Sequence, residues 1–483
     1  TSSHQHNPFV ILADKDTTES TGECYSASFL YSGGFHAQAE VDQFNQTRLV
    51  IGIDDYDFSW KLKKGESFST PEVCLTYSAD GFSKLSQTLH QAIVSNLIRS
   101  CWKDRVRPIL VNNWEATYFD FNKDNLIAIA KEAAELNLDM LVLDDGWFGK
   151  RDDDFSGLGD WFVNEKKLCG TLSELVKEVH DMGLSFGLWF EPEMISEDSD
   201  LYRAHPDWAL VIPGRQPIRS RSQLVLDMSR EDVTDYLTER ICDIVEKADI
   251  QYIKWDMNRS LMAAYSAKLP RDRQGELRHR YVLGLYKVLE AVTQRFPELL
   301  LEGCSGGGGR FDAGMLYYCP QIWCSDNTDA IERLRIQYGT SFGYPMSSVS
   351  AHVSVCPNHQ NHRVTPFKTR GICAMQGTFG YELDLSKMTD EEKKMAGEQI
   401  AFFKEHGRLF QFGDYYRLTS PFENRDYTVW EYAAQDGSEA CMSVVYTDMY
   451  ANAASEIVKW KGLDPKKVYQ MQLDGEDAGN FSG

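Results

Sequence analysis

Five apolar runs in this chain stop abruptly at polar clusters, and carboxylates dominate those clusters. Met140-Leu141-Val142-Leu143 stops at Asp144-Asp145, and Ser185-Phe186-Gly187-Leu188 leads into Trp189-Phe190-Glu191-Pro192-Glu193. Tyr252-Ile253-Lys254-Trp255 gives way to Asp256-Met257-Asn258-Arg259, Leu299-Leu300-Leu301 to Glu302-Gly303-Cys304, and Ile322-Trp323-Cys324-Ser325 to Asp326. Short, solid apolar runs suit strands buried on both faces, as in a parallel sheet. Further strands are expected at Pro108–Asn112 and Leu224–Asp227, with an eighth near Met346–Val353 or around Gly371–Gly377. Helical periodicity falls between them, at Asp124–Leu136, Thr171–Met182 with Thr171 as a cap, Glu231–Lys247, Tyr281–Arg295 and Thr389–Glu405. Strand and helix in alternation predict an α/β fold, a (β/α)8 barrel. A doubly wound open sheet is the alternative, but no dinucleotide fingerprint opens a helix.

The flanks read differently. Glu23–Tyr31, Thr47–Ile53, Phe58–Lys61 and Glu72–Tyr77 have strand character, and Ser78–Ile98 turns helical. Beyond the barrel, Arg408–Tyr416, Thr428–Ala434, Ala440–Tyr446 and Glu456–Trp460 read as antiparallel strands. The expected division is a β region over 1–98, the barrel over 99–406 and a β domain over 407–483.

A formal charge of −22 repels phosphate backbones and anionic lipid, so neither nucleic acid nor a membrane surface is an expected partner. No window holds 18 apolar residues without charge, which excludes a membrane-spanning helix. Eleven cysteines without paired spacing read as reduced thiols, so a cytoplasmic location is expected. Cys356, His359 and His362 have metal-ligand chemistry but no second cluster to complete a site, so no metal or other cofactor is expected.

Catalytic groups of a barrel project from the C-terminal ends of its strands. Carboxylates, tryptophans and Lys254 therefore converge on one face. Cleaving an acetal requires a proton for the departing oxygen and stabilisation of an oxocarbenium-like centre, work shared by two carboxyl groups. Tryptophan faces suit the apolar face of a pyranose, and Asp, Arg and Lys read its hydroxyls. The residue types alone do not say which carboxylate does what. Glu191 and Glu193 are expected to orient neighbours. The run Gly306–Gly309 lacks the Lys-Ser/Thr pair of a phosphate loop and suits close backbone approach instead.

Lys254-Trp255-Asp256-Met257-Asn258-Arg259 and Cys324-Ser325-Asp326-Asn327-Thr328-Asp329-Ala330 resemble the two catalytic motifs of the family-36 glycoside hydrolases, the large bacterial and fungal α-galactosidases. Asp144–Phe148, Trp189–Glu193, Gln223–Asp227, Glu302–Asp312 and the opening Ser3–Phe9 are similar to that family in the same order. The resemblance implies a retaining α-galactosidase acting on melibiose, raffinose and related α-galactosides. It gives Asp256 the role of nucleophile and Asp326 that of acid/base. Asp144 and Asp145 would hold the 4- and 6-hydroxyls, and Arg221, Lys254 and Asn258 the others. Cys304 and Gly306 would line the 2-position, with Trp114 and Trp189 as aromatic walls. The resemblance further implies that residues 1–98 are the last portion of a larger N-terminal β-sandwich. The C-terminal β domain would be truncated, and the chain would form a homo-oligomer, a tetramer as in the family. A raffinose-synthase-type transferase, an α-N-acetylgalactosaminidase and a non-catalytic sugar-binding barrel are the rival readings.

Overall fold

The computed structural model describes residues 2–262, 264–453 and 455–483. Its centre is a closed parallel barrel. The strands are β1 (Leu110–Asn112), β2 (Met140–Leu143), β3 (Ser185–Phe190), β4 (Tyr252–Trp255), β5 (Leu300–Gly303) and β6 (Gln321–Trp323). Next comes β7, split into Val349–Ser350 and Val353–Ser354, and last β8 (Gly380–Glu382). Neighbours pair in sequence order and β8 pairs with β1. The first half of β7 pairs with β6 and the second with β8, so this broken segment closes the ring.

Two expectations about the barrel need correction. Leu224–Val225 pairs antiparallel with Met194–Ile195 outside the barrel, so it is not a barrel strand. Of the two places offered for the remaining strand, Met346–Val353 holds the first half of β7, whereas around Gly371–Gly377 the chain is helical to Ala374 and enters β8 only at Gly380. Both errors have one cause: a run of a few apolar residues has the same pattern in a strand, a side hairpin or a buried helix.

The strands are apolar because both of their faces are covered. Leu110, Met140, Val142, Tyr252 and Leu300 form a cluster of their own inside the barrel. Tyr252 fills that interior so completely that β3 carries glycine opposite it. A Cβ on Gly187 would lie 2.6 Å from the Tyr252 ring and 2.8 Å from Val142. Helices Lys123–Glu135, Leu172–His180, Glu231–Ala248, Leu277–Arg295, Ala330–Thr340, Phe367–Ala374 and Asp390–Phe412 pack outside. Asn122, Thr171 and Thr389 each open their helix with a reciprocal capping box. Each such cap contributes about 1 kcal/mol.

N-terminal strands Phe9–Ala13, Cys24–Phe29 and Val73–Ser78 make an antiparallel sheet, beside a hairpin of Phe35–Val41 and Thr47–Ile53. Residues 58–61, expected as a strand, are irregular. Phe58 and Trp60 instead join Phe68 around the His279 ring on the barrel side. At the other end the last barrel helix runs on to Phe412, and only then does a strand begin at Asp414–Arg417. That strand pairs with Tyr427–Ala433, which pairs with Ala440–Tyr446. Residues 456–460, also expected as a strand, are irregular. All eleven cysteines are free thiols. Among the described residues no helix is long and apolar enough to cross a membrane.

Candidate active site

Three aspartates stand just beyond strand ends: Asp144 after β2, Asp256 after β4 and Asp326 after β6. From β4 comes Asp256, buried and ringed by donors. Its Oδ2 accepts from Trp189 Nε1 at 3.2 Å and Asn258 Nδ2 at 2.9 Å. Its Oδ1 accepts from the backbone N–H groups of Met257 at 2.8 Å and Gly306 at 3.2 Å. Both carboxylate oxygens are thus fixed by groups from β3, β4 and the loop after β5.

Asp326 follows β6 and faces solvent at the mouth. Its Oδ1 accepts from Trp323 Nε1 at 3.0 Å. Although exposed, Asp326 is flanked by protein atoms that displace part of its carboxylate's water, and the charge of Asp256 adds to that, so the carboxyl is pushed up to about 6. Asp329, only three residues on, has a different job. It caps the following helix by accepting from the Glu332 backbone at 2.9 Å and pairs with Arg363.

One turn joins the two aspartates. Ser305–Gly307 closes through the Ser305 N–H to Gly307 carbonyl bond of 2.8 Å. Gly306 donates to Asp256, while Gly307 packs directly against the backbone of Ser325 and Asp326. Both glycines have positive φ, +54° and +86°, which explains why side chains are absent there. The turn is itself tied down by the N-terminal segment. His4 Nε2 meets the Gly306 carbonyl at 2.6 Å, Asn7 Nδ2 donates to the Phe311 carbonyl at 2.6 Å, and Ser2 Oγ donates to Asp312 at 2.8 Å.

Asp144, at the end of β2, accepts from Lys254 Nζ at 2.8 Å and Asn112 Nδ2 at 2.7 Å. Burial works against the Lys254 charge, but Asp144 foremost, with Glu382 and Asp256, outweighs it and holds the ammonium well above the usual lysine range. Asp145 is gripped by Arg151 through Nε at 3.1 and 3.2 Å and Nη2 at 2.8 Å. Burial nevertheless pushes the Asp145 carboxyl up to about 6. Cys304 is buried, and burial together with Asp256 and Asp326 raises its thiol well above the ordinary range, so it stays protonated.

The structure brings Asp144, Trp189, Lys254, Asp256, Asn258, Cys304 and Gly306 into one network of contacts with Asp326 beside it. Arg221 lies exposed in a left-handed backbone conformation, its charge acting on Glu191, Asp256 and Asp326. Trp114 is half-buried and meets Tyr118 and Phe119 edge-on at 5.1 and 5.2 Å. Trp189 is almost wholly buried and stacks on Phe148, so its ring serves the core as well as its N–H serving Asp256. Glu193 is bound by Arg310 at 2.7 Å, Tyr281 at 2.7 Å and Trp255 at 3.0 Å. Among the described residues no group of three or more His, Cys, Asp and Glu could hold a metal ion.

A match to the melibiase family covers residues 67–413. The chain belongs to the melibiase family. Matches to the glycosyl hydrolase family 36 N-terminal and C-terminal domains cover its residues 1–63 and 427–483. The chain is 54% identical to the bifunctional alpha-galactosidase/sucrose kinase AgaSK of Mediterraneibacter gnavus, over 98% of its own length and 50% of that protein. It superimposes on the crystal structure of the alpha-galactosidase AgaA of Geobacillus stearothermophilus with a TM-score of 0.97 at 53% identity, covering 100% of this chain and 66% of that one. A variant of AgaA has been solved in complex with raffinose, and the match has the same TM-score and identity over 99% and 66% of the two chains. The chain thus spans half to about two thirds of the length of these relatives.

Sequence reasoning missed several side chains of the barrel mouth. Arg151, Trp323 and the buried pair of His352 and Glu382, 3.2 Å apart, carry no role in it. Trp323 alone had a usable signal, since it stands three residues before Asp326 at the end of an apolar strand.

Proposed function

We propose that this chain carries the catalytic machinery of a retaining α-galactosidase. The observation that carries the reading is the single glycine turn whose adjacent residues touch the Asp256 carboxylate and the Asp326 backbone. Asp256 attacks the anomeric carbon of a terminal α-galactoside. Asp326 gives its proton to the departing glycosidic oxygen, and a β-linked galactosyl-enzyme forms. Water then attacks that carbon, Asp326 takes its proton, and α-galactose leaves with Asp256 restored. The raised Asp326 carboxyl supports the acid role, because a group near 6 keeps a proton in weakly acidic solution.

Asp144 with Lys254, and Asp145 with Arg151, supply charged groups for the sugar's 4- and 6-hydroxyls, with Arg221 and Asn258 for others. Cys304 and Gly306 leave room for a small 2-substituent, and Trp114 and Trp189 form the aromatic walls. Melibiose, raffinose and related oligosaccharides are the proposed substrates, in keeping with the raffinose-bound relative. A cytoplasmic homo-oligomer, tetrameric as in the family, and a three-part chain of N-terminal β region, barrel and C-terminal β domain belong to the same reading.

Asp256→Gly tests it. Turnover of an aryl α-galactoside is expected to vanish and to return in part with azide, yielding β-galactosyl azide by proton NMR. An α-configured azide, or an undiminished rate without azide, would refute the assignment.

A further inference from the structure

Trp323 is almost wholly buried, and an indole N–H in that position needs an acceptor. Its acceptor is Asp326 Oδ1, at 3.0 Å. The ring itself is held firmly. The Arg333 guanidinium carbon lies 4.5 Å from its centroid, the His352 ring 4.6 Å away and Lys254 Nζ 5.7 Å away. Arg333 is anchored by the carbonyls of Ser325 at 2.6 Å and Ser350 at 3.0 Å, and His352 by Glu382 at 3.2 Å. These contacts come from β4, β7, β8 and the helix after β6, so the indole has little freedom to turn.

Resting on the reading of Asp326 as acid/base, we propose that Trp323 is a positioning residue that orients the Asp326 carboxyl and selects which of its oxygens delivers the proton. With Oδ1 occupied as the indole's acceptor, the proton rides on Oδ2, the oxygen left for the glycosidic bond. The same hydrogen bond favours the ionised form that must later take a proton from water. The charged and titratable groups around Asp326 are Asp256 and Lys254 from β4, Cys304 after β5, Glu382 from β8, Arg221 from the long loop after β3, and Arg333 from the following helix. None of them donates to Oδ1.

Trp323→Phe keeps a ring and removes the donor. The basic limb of the kcat/KM profile is expected to move up by about one pH unit, as for loss of a hydrogen bond to a charged group. The loss on melibiose, which needs protonation, is expected to exceed that on 2,4-dinitrophenyl α-galactoside by roughly tenfold. An unmoved basic limb, or equal losses on both substrates, overturns the inference. A second measurement uses the unaltered chain labelled with 15N-tryptophan. One indole N–H resonance is expected to titrate with the same midpoint as the basic limb, and that titration is expected to disappear in Asp326→Asn. No such resonance means that Trp323 does not sense Asp326. If Asp326→Ala hydrolyses melibiose at the unaltered rate, the acid/base reading itself fails. If Asp326→Ala is inactive while the limb of Trp323→Phe stays put, only the Trp323 inference falls.

Discussion

Replacing Gly307 with alanine probes how tightly the glycine turn locks Asp326. The new Cβ would stand 2.4 Å from the Asp326 backbone nitrogen and 2.8 Å from Ser325 Cα, both backbone atoms that cannot swing aside. Ordinary contact begins at 3.4 Å, so the turn and the loop after β6 have to part by about 1 Å. The φ of +86° adds about 1–2 kcal/mol for any residue with a Cβ, and the overpacking a further 1–3 kcal/mol. Folding stability is therefore expected to fall by about 2–5 kcal/mol in urea titrations. If Asp326 is the proposed acid, its displacement by about 1 Å costs roughly 100-fold in rate, equivalent to about 2.7 kcal/mol of transition-state stabilisation. Galactose release from melibiose measures kcat/KM directly. Gly339→Ala is the control, because its Cβ meets nothing within 4 Å in the helix that follows Asp329, and it should raise stability by about 0.5–1 kcal/mol with activity intact. If Gly307→Ala folds and keeps kcat/KM within about threefold, the turn does not fix Asp326 and the steric argument is wrong.

Asp326→Ala should lose far more activity on melibiose than on aryl galactosides with good leaving groups, and parallel losses would count against an acid. With the Asp326 carboxyl pushed up to about 6, the protonated form is present below that pH and lost above it, so kcat/KM should decline as pH rises through about 6. A profile still flat at pH 8 would contradict that. Arg310→Met leaves Glu193 buried beside Tyr281 and Trp255 without its cation, which should cost about 3–5 kcal/mol in urea unfolding. A loss below about 1 kcal/mol would show that the two neutral donors suffice.

The barrel was legible because β2, β4 and β5 are buried on both faces and so had to be written as solid apolar runs. Their polar endings were legible for the same reason, since a carboxylate directly after such a run cannot enter the core unpaired. β8 was not, because Gly380-Tyr381-Glu382 has too few apolar residues to stand out, and Leu224–Val225 looked no different from a true barrel strand. Pairings across long sequence distances left no trace at all. Nothing in the chain announces that Arg151 grips Asp145, or that Glu382 pairs with His352 beside Trp323. The individual roles proposed for the carboxylates rest on family resemblance rather than on pattern.

The ties between Ser2–Asn7 and the loop around Gly306–Asp312 join parts of the chain about 300 positions apart. At about 5–20 residues per second a ribosome needs roughly 15–60 s between making the one and making the other. Throughout that interval the early segment has no docking site. The backbone donor that reaches Asp256 from Gly306 thus gains its outside brace only once its own loop has been made, 50 positions after that aspartate.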